Sequence, residues 1–173
     1  GAEGVVGCFD PFTAEMMDAC GSLKVVAKPG AGYNNIDVAA ATERGVMVCN
    51  VEGVRGRAVA EHAIFHMLYL SRNGWLKDRP EWETTPMHQL GGKTIGIVGL
   101  GDIGANLARM ADGFGMKVLV NTRTPAPGRV PGVEIEYCSF SELLPRVDYL
   151  VLCMPLTEET RGIVCAESIA KMK

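Results

Sequence analysis

The chain has 173 residues and a formal net charge of −3, with 47% hydrophobic and 21% charged residues, a balance typical of a soluble globular protein. It carries no basic block, which argues against nucleic acid as the main partner, because phosphate backbones require clustered Lys and Arg. No apolar run reaches the roughly 18 residues needed to span a bilayer, so we expect no membrane contact.

The first 54 residues alternate short apolar runs with helical patterns. They predict strands at 4–9, 24–28 and 46–49 and intervening helices at 13–20 and 37–45, the second ended by Gly45. The strand segments are apolar at almost every position, which is typical of a parallel sheet covered on both faces.

A longer helical pattern follows at residues 57–73, with Gly74 just beyond it. The pattern is apolar on almost all sides, so we expect this helix to be buried between domains or between subunits. Residues 74–92 are rich in Gly, Pro and charged side chains, and they are predicted to form a connector.

A second alternation occupies the rest of the chain. It predicts strands at 94–98, 117–121 and 149–154, and helices at 102–115, 141–147 and 166–172. Pro145 limits the helix at 141–147, and glycine ends the one at 102–115. Repeated strand–helix–strand units indicate an α/β fold with a doubly wound parallel sheet.

The segment "KTIGIVGLGDIGANLARM" contains the pattern Gly99-x-Gly101-x-x-Gly104 between a predicted strand and a predicted helix. Gly99 permits a tight turn, Gly101 lets the backbone approach a pyrophosphate, and Gly104 lets the helix pack closely on the strand. Amides at the helix N-terminus then face the phosphates. The pattern predicts a Rossmann-like dinucleotide site, with Ile103 also at the pyrophosphate.

Asp102 lies inside this predicted cofactor-binding loop, where a carboxylate would repel a pyrophosphate. We expect it to cap the helix and to point away from the ligand.

The second strand of a dinucleotide-binding unit usually ends in an acid that binds the ribose 2′-hydroxyl. Here "VLVNTRT" ends in Thr122, Arg123 and Thr124, with no acid among them. The missing carboxylate removes repulsion toward a 2′-phosphate, and Arg123 offers a forked, permanently charged donor. We predict that the site binds NADP in preference to NAD, although NAD remains an alternative.

Six cysteines are spread along the chain at positions 8, 20, 49, 138, 153 and 165, and none forms a Cys-x-x-Cys pair. Cys49 and Cys153 fall in apolar, strand-like runs. We predict reduced, buried thiols in a cytoplasmic protein rather than a disulfide framework.

Five stretches together resemble the D-isomer-specific 2-hydroxyacid dehydrogenase family, which includes phosphoglycerate dehydrogenase and glyoxylate/hydroxypyruvate reductase. They are "LKVVAKPGAGYNNIDVAAATERGVMVCNVEGV", "AVAEHAIFHMLYLSRN", "GKTIGIVGLGDIGANLA", "GFGMKVLVNTR" and "DYLVLCMPLTEETRGIV". The resemblance implies hydride transfer between NAD(P)H and a small 2-keto or D-2-hydroxy acid. It also implies two α/β domains, the second of them a flavodoxin-like substrate domain.

The resemblance also implies roles for particular residues. The backbone amides of Ala31 and Gly32 would bind the substrate carboxylate, with Lys28 adding positive charge unless it is simply solvated. Met154 and Pro155 would lie against the cofactor. Thr157 and Thr160 would shape the loop there, and the helix at 57–73 would form a homodimer.

In the family, catalysis rests on an Arg, a Glu and a His, and all three lie beyond the position that matches Lys173. The family's first strand and helix similarly precede Gly1. We therefore expect a partial substrate (catalytic) domain at 1–54 and an NAD(P)-binding domain at 55–173, incomplete at its C-terminus. We expect no catalytic residue in these 173 residues and no turnover by them alone.

His62 and His66 are four positions apart on one helical face, a spacing that also suits a metal ion. No third ligand is evident, and "EHAIFH" is not the zinc-protease pattern. We therefore predict packed or interface histidines and no metal, and an exposed His88 in the connector.

Three alternatives to a glyoxylate or hydroxypyruvate reductase remain. One is an NAD-dependent D-3-phosphoglycerate dehydrogenase. Another is a non-catalytic, corepressor-like module that senses the dinucleotide. The third is a methyltransferase, which the missing acid at the second strand end disfavours.

Overall fold

A computed structural model describes residues 1–74, 78 and 84–173, and it divides the chain into two compact units, Gly1–Arg55 and Gly56–Lys173. Residues 75–77 and 79–83, which belong to the predicted connector at 74–92, lie outside the described residues. The two units are taken in turn.

The first unit is a three-stranded parallel sheet with two short helices. The strands are β1 (Gly4–Val6), β2 (Val25–Ala27) and β3 (Met47–Cys49), in that spatial order, and the helices are α1 (Ala14–Ala19) and α2 (Val38–Glu43). Thr13 and Asp37 accept hydrogen bonds from amides in the first turns of α1 and α2. Gly45 has a left-handed φ of 67° and terminates α2, as predicted.

The core of this unit lies between the sheet and its helices. Its buried residues are Phe12, Met17, Val26, Ile36, Ala40, Ala41 and Val46.

Strands of three residues cover little surface, and β3 is an edge strand, so Cys49 at its end is exposed. Cys153 in the second unit is only half-buried, so the predicted burial of these thiols is wrong, while all six cysteines of the described chain are free.

The second unit is a four-stranded parallel sheet in the order β6-β5-β4-β7. Its strands are β4 (Thr94–Val98), β5 (Lys117–Asn121), β6 (Ile135–Tyr137) and β7 (Tyr149–Leu152), and its helices are α3 (Gly56–Ser71), α4 (Asp102–Gly113), α5 (Phe140–Leu143) and α6 (Ala166–Ala170). A 3-10 turn containing Pro145 follows α5 directly. Strand β6 was not predicted, because it is a three-residue edge strand whose middle residue is the exposed Glu136.

The strand order confirms the predicted doubly wound fold. From β4 the chain passes through α4 to β5 on one side, and it later returns to add β7 on the other side. The order in which the chain adds strands therefore reverses between β4 and β7. In such folds, ligands bind beyond the carboxyl ends of the strands at this switch point. Buried Ile95, Ile97, Leu107 and Val120 join the sheet to α4.

Helix α3 packs against α4 through one face only. The residues on this face are Gly56, Ala60, Ile64, Met67 and Ser71, and the exposed apolar residues are Val59, Phe65, Tyr69 and Leu70. The prediction that this helix is buried between domains or between subunits stays a prediction, since within the chain α3 buries only the face with the small and aliphatic side chains. None of the described helices is long and apolar enough to cross a membrane.

Candidate dinucleotide site

The glycine loop makes a tight turn where β4 meets the end of β7. Gly99 has a φ of 96°, and a Cβ on it would lie 2.8 Å from the Met154 nitrogen and 2.9 Å from the Cys153 carbonyl carbon and oxygen. Only glycine satisfies both conditions, because the left-handed backbone and the close approach each exclude a side chain.

The other two glycines of the loop differ in what surrounds them. A Cβ on Gly104 would lie 2.2 Å from the Gly99 carbonyl oxygen and 3.2 Å from Ile97 Cγ2, so glycine is needed here for α4 to contact β4. A Cβ on Gly101 would meet nothing within 4 Å, and Gly101 is exposed. The loop is thus closed against the sheet at Gly104 and open to solvent at Gly101.

Five consecutive amides, at residues 100–104 around the start of α4, have no acceptor in the part of the chain that the structure describes. The Gly99 amide donates to the Asn121 carbonyl oxygen at 2.8 Å, which joins the glycine loop to the end of β5. The amides of residues 100–104 donate no hydrogen bond to any residue that the structure describes, and Ala105 is the first to bond back, to Gly101. Free amides at the positive end of a helix form an anion site.

Asp102 is the first residue of α4, after Gly101 as the N-cap, and in the described chain its carboxylate accepts a hydrogen bond from Asn106 and from no amide of the first turn. The predicted cap is therefore wrong. The carboxylate instead accepts a hydrogen bond from Asn106 Nδ2 at 3.2 Å and lies against Gly56. It leaves the amides of α4 free.

The polar end of β5 lies beside this loop. Asn121 pairs with Val98 in the sheet, and its side-chain amide donates to the Cys138 carbonyl at 3.0 Å. Thr122 follows as a half-buried residue, and Arg123 and Thr124 are exposed. Within the described part of the chain, Arg123 forms no ion pair, so its guanidinium is available to a ligand.

The segment after β7 borders a cavity of about 300 Å³. Its lining residues are Leu152, Met154, Pro155, Leu156, Thr160, Gly162, Ile163 and Val164. Thr160 donates from its hydroxyl to the Pro155 carbonyl at 2.8 Å and accepts from the Thr157 amide at 2.8 Å. These bonds hold the loop that carries Met154 and Pro155 at the same end of the sheet as the glycine turn.

Cys153 is the residue after β7, and its backbone carbonyl lies against Gly99. Burial raises the pKa of its thiol to about 11, which favours the protonated thiol over the reactive thiolate at neutral pH. Cys165, at the start of α6, is exposed, and hydrogen bonds from the Ser168 amide and hydroxyl lower its thiol pKa.

In the first unit, the turn predicted to bind a carboxylate also exposes its amides. The Val51 amide donates to the Gly30 carbonyl at 3.1 Å, and Asn50 Nδ2 donates to the Ala31 carbonyl at 3.0 Å. Ala31 and Gly32 are exposed, and in the described residues their amides have no acceptor. The carbonyls of the turn are therefore held inward while the N–H groups remain free.

Lys28 is held by its own unit. Its ammonium donates to the Cys8 carbonyl and to Asn35 Oδ1 at 2.9 Å, and it lies 5.7 Å from the ring centre of Phe9. Lys28 thus supports the loop after β1. Two of its three N–H donors are engaged there, which leaves one for a substrate.

The histidines are exposed. His62 and His66 approach within 3.0 Å between their Nε2 atoms, and His62 stacks on Phe65. They are therefore not packed inside the chain, and the alternative prediction of interface histidines stays a prediction. His88 is exposed, and no cluster of three or more His, Cys, Asp or Glu placed to hold a metal ion occurs in the described residues.

Sequence reasoning missed Asn50 and Asn121, which hold the two loops in place, and Gly56, which receives the Asp102 carboxylate. The two asparagines had a signal, because each is a single polar residue at the end of an apolar strand. Gly56 had none, since its neighbour is 46 positions away in the sequence and becomes visible only when α3 packs on α4.

A parallel sheet with a glycine turn, an open helix N-terminus and flanking loops at its switch point defines a dinucleotide-binding α/β protein. The family described as D-isomer specific 2-hydroxyacid dehydrogenase, NAD binding domain, matches residues 57–173. The chain belongs to this family.

Individual relatives agree with this assignment. A glyoxylate reductase of Korarchaeum cryptofilum is 37% identical over 174 residues, covering 95% of this chain and 52% of that protein. A D-3-phosphoglycerate dehydrogenase of Mycobacterium leprae is 38% identical over 166 residues, covering 92% of this chain and 31% of that protein. The apo-structure of D-lactate dehydrogenase from Escherichia coli has a TM-score of 0.86 at 30% identity, covering 100% of this chain and 57% of that one. The chain thus spans about half the length of the glyoxylate reductase.

Proposed function

We propose that this chain is part of an NADP-preferring reductase of small 2-keto acids, similar to glyoxylate and hydroxypyruvate reductases. The observation that carries the proposal is the row of free amides at residues 100–104, at the switch point of a sheet whose sequence matches an NAD-binding domain. A diphosphate would accept hydrogen bonds from these amides and be stabilised by the dipole of α4.

The two compact units have different parts in this proposal. Residues 56–173 bind the cofactor, and residues 1–55 bind the substrate through its carboxylate. The free amides of Ala31 and Gly32 suit that carboxylate, because two N–H donors match its two oxygens. When bound, the nicotinamide supplies or accepts the hydride, while this chain's residues bind and orient the ligands.

The preference for NADP rests on the end of β5. The chain has no acid at residues 122–124, and Arg123 has no ion-pair partner in the described residues. A charge-assisted hydrogen bond to a 2′-phosphate is worth about 1.5–3 kcal/mol, or roughly tenfold to somewhat over a hundredfold in affinity.

Fluorescence titration of the chain with NADPH and with NADH tests the proposal. We expect NADPH to bind at least about tenfold more tightly, and Arg123→Gln to abolish the difference while leaving NADH binding unchanged. Arg129→Gln, an exposed arginine further along the same loop, is the matched control. Equal or tighter binding of NADH by the unchanged chain contradicts the NADP preference, and binding of neither contradicts the site.

Addition of glyoxylate or hydroxypyruvate to the NADPH complex tests the expectation that these residues alone do not turn over substrate. We expect no consumption of NADPH, because the family resemblance implies no catalytic Arg, Glu or His among these residues. Steady oxidation of NADPH by these 173 residues would show that the chemistry is carried by other residues.

A second candidate is an NAD-dependent D-3-phosphoglycerate dehydrogenase, favoured by the relative from Mycobacterium leprae. It predicts the opposite cofactor preference in the same titration.

A further inference from the structure

The carboxylate of Asp102 occupies a place that only glycine leaves open. A Cβ on Gly56, the first residue of α3, would lie 1.8 Å from Asp102 Oδ2 and 2.4 Å from Asp102 Cγ. Both distances are far shorter than any contact between carbon and these atoms. A side chain at position 56 and the carboxylate in its present position therefore exclude one another.

Two interactions hold the carboxylate in this place. Asn106 Nδ2 donates to Asp102 Oδ1 at 3.2 Å and to the Asp102 carbonyl at 2.8 Å. Gly56 begins a helix of 16 residues, whose positive end favours a nearby negative charge. The hydrogen bond from Asn106 and the dipole of α3 thus both stabilise the carboxylate beside Gly56.

The position of this carboxylate matters because of what lies beside it. An Asp at the N-cap of a helix commonly accepts hydrogen bonds from the first free amides, and Asp102 directly follows the N-cap Gly101. The Asp102 carboxylate accepts from Asn106 instead, and the amides of residues 100–104 have no acceptor in the described chain. A carboxylate turned toward these amides would compete with a diphosphate for the same donors and would repel it.

We propose that Gly56 is a positioning residue for dinucleotide binding: it receives the Asp102 carboxylate beside α3 and so keeps the N-terminus of α4 free for the diphosphate. The inference rests on the proposed dinucleotide site. It explains how the glycine loop tolerates an acid in the middle of its anion site, and it assigns a role to a residue 43 positions before the loop.

Titration of four variants with NADPH tests this. Gly56→Ala displaces the carboxylate, and we expect the Kd to rise roughly three- to thirtyfold. The double variant Gly56→Ala/Asp102→Ala lacks the displaced charge, and we expect its Kd to return to within about twofold of Asp102→Ala alone. Gly113→Ala is the matched control, because it adds a methyl group to α4 where no atom lies within 4 Å.

The outcomes separate the inference from the proposed function. If the unchanged chain binds neither NADPH nor NADH, the proposed function fails. If it binds but Gly56→Ala binds equally well, or if adding Asp102→Ala to Gly56→Ala does not restore the Kd, the role of Gly56 is refuted.

Should Gly56→Ala not fold, Asn106→Ala releases the same carboxylate from its hydrogen bond. We expect that variant to bind NADPH at least about twofold more weakly, and an unchanged Kd would also refute the inference.

Discussion

Gly99 connects three strand ends through its backbone alone. Its amide donates to Asn121 at the end of β5, its own position follows β4, and the backbone of Cys153 and Met154 lies against its Cα. The turn therefore depends on the absence of a side chain for two separable reasons, the left-handed φ and the contact with the end of β7.

Substitution of Gly99 by Ala measures the combined cost of the backbone strain and of the clash with the end of β7. We expect Gly99→Ala to lower the free energy of unfolding by about 2–4 kcal/mol and to abolish dinucleotide binding, because strain adds to displacement of the β7 end. Urea denaturation followed by circular dichroism measures the change. Gly128→Ala is the control, because Gly128 also has a left-handed φ, of 78°, but a Cβ there would meet nothing within 4 Å. Equal losses in the two variants would mean that the contact with β7 contributes nothing.

Between elements, Asp148 joins the starting ends of two adjacent strands. Its Oδ2 accepts from the Thr94 amide at 2.8 Å, its own amide donates to the Thr94 carbonyl at 2.9 Å, and Lys173 Nζ donates to Oδ1 at 3.2 Å. Burial alone would raise the pKa of this carboxyl, but the hydrogen bonds from Thr94 and Lys173 outweigh it and hold the pKa below the ordinary value of 3.8. The charged form is therefore the one that stabilises the junction of β4 and β7.

A lowered pKa makes this stabilisation dependent on pH. It is complete above the unfolded pKa near 3.8 and is lost as the pH falls through the lower folded value. We expect Asp148→Asn to cost about 1 kcal/mol at pH 7 and progressively less below pH 3.8, as measured by urea denaturation across that range. Asp112→Asn, an exposed residue at the end of α4, is the control. A cost that does not change with pH would show that shape, rather than charge, matters at position 148.

For the whole molecule, the uncovered face of α3 predicts a partner. Val59, Phe65, Tyr69 and Leu70 are all exposed, with His62 and His66 among them, and the helix has no charged residue after Glu61. A large exposed apolar surface of this kind marks an association site in soluble proteins. We predict that two copies of the chain pair through this face, as the family resemblance also implies.

Sedimentation analysis of Phe65→Asp tests the homodimer. We expect the unchanged chain to sediment as a dimer and the variant as a monomer, because a charge in an apolar interface is not solvated. Ile169→Asp places the same charge on an exposed apolar position of α6 and should remain dimeric. A monomeric unchanged chain, or a dimeric Phe65→Asp variant, contradicts the prediction.

Short segments of the sequence determine several elements of this fold by themselves. The bounds of β4 and β5, the glycines that follow α2 and α4, and the tight turn at Gly99 were predicted correctly, because each depends on apolar periodicity or on a glycine within a few positions. The three-residue strand β6 carries too little pattern to be recognised, since one of its residues is an exposed glutamate on a sheet edge. The resemblance to the family rests on the same local segments.

Only the tertiary structure decided which local features act together. It brought Gly56 against Asp102 by packing α3 on α4, and this contact turned an expected helix cap into a carboxylate held away from the free amides. It also left one face of α3 exposed, which an apolar pattern alone could not distinguish from complete burial. Periodicity reports which residues avoid water, whereas the surface that covers them is set by residues far away in the chain.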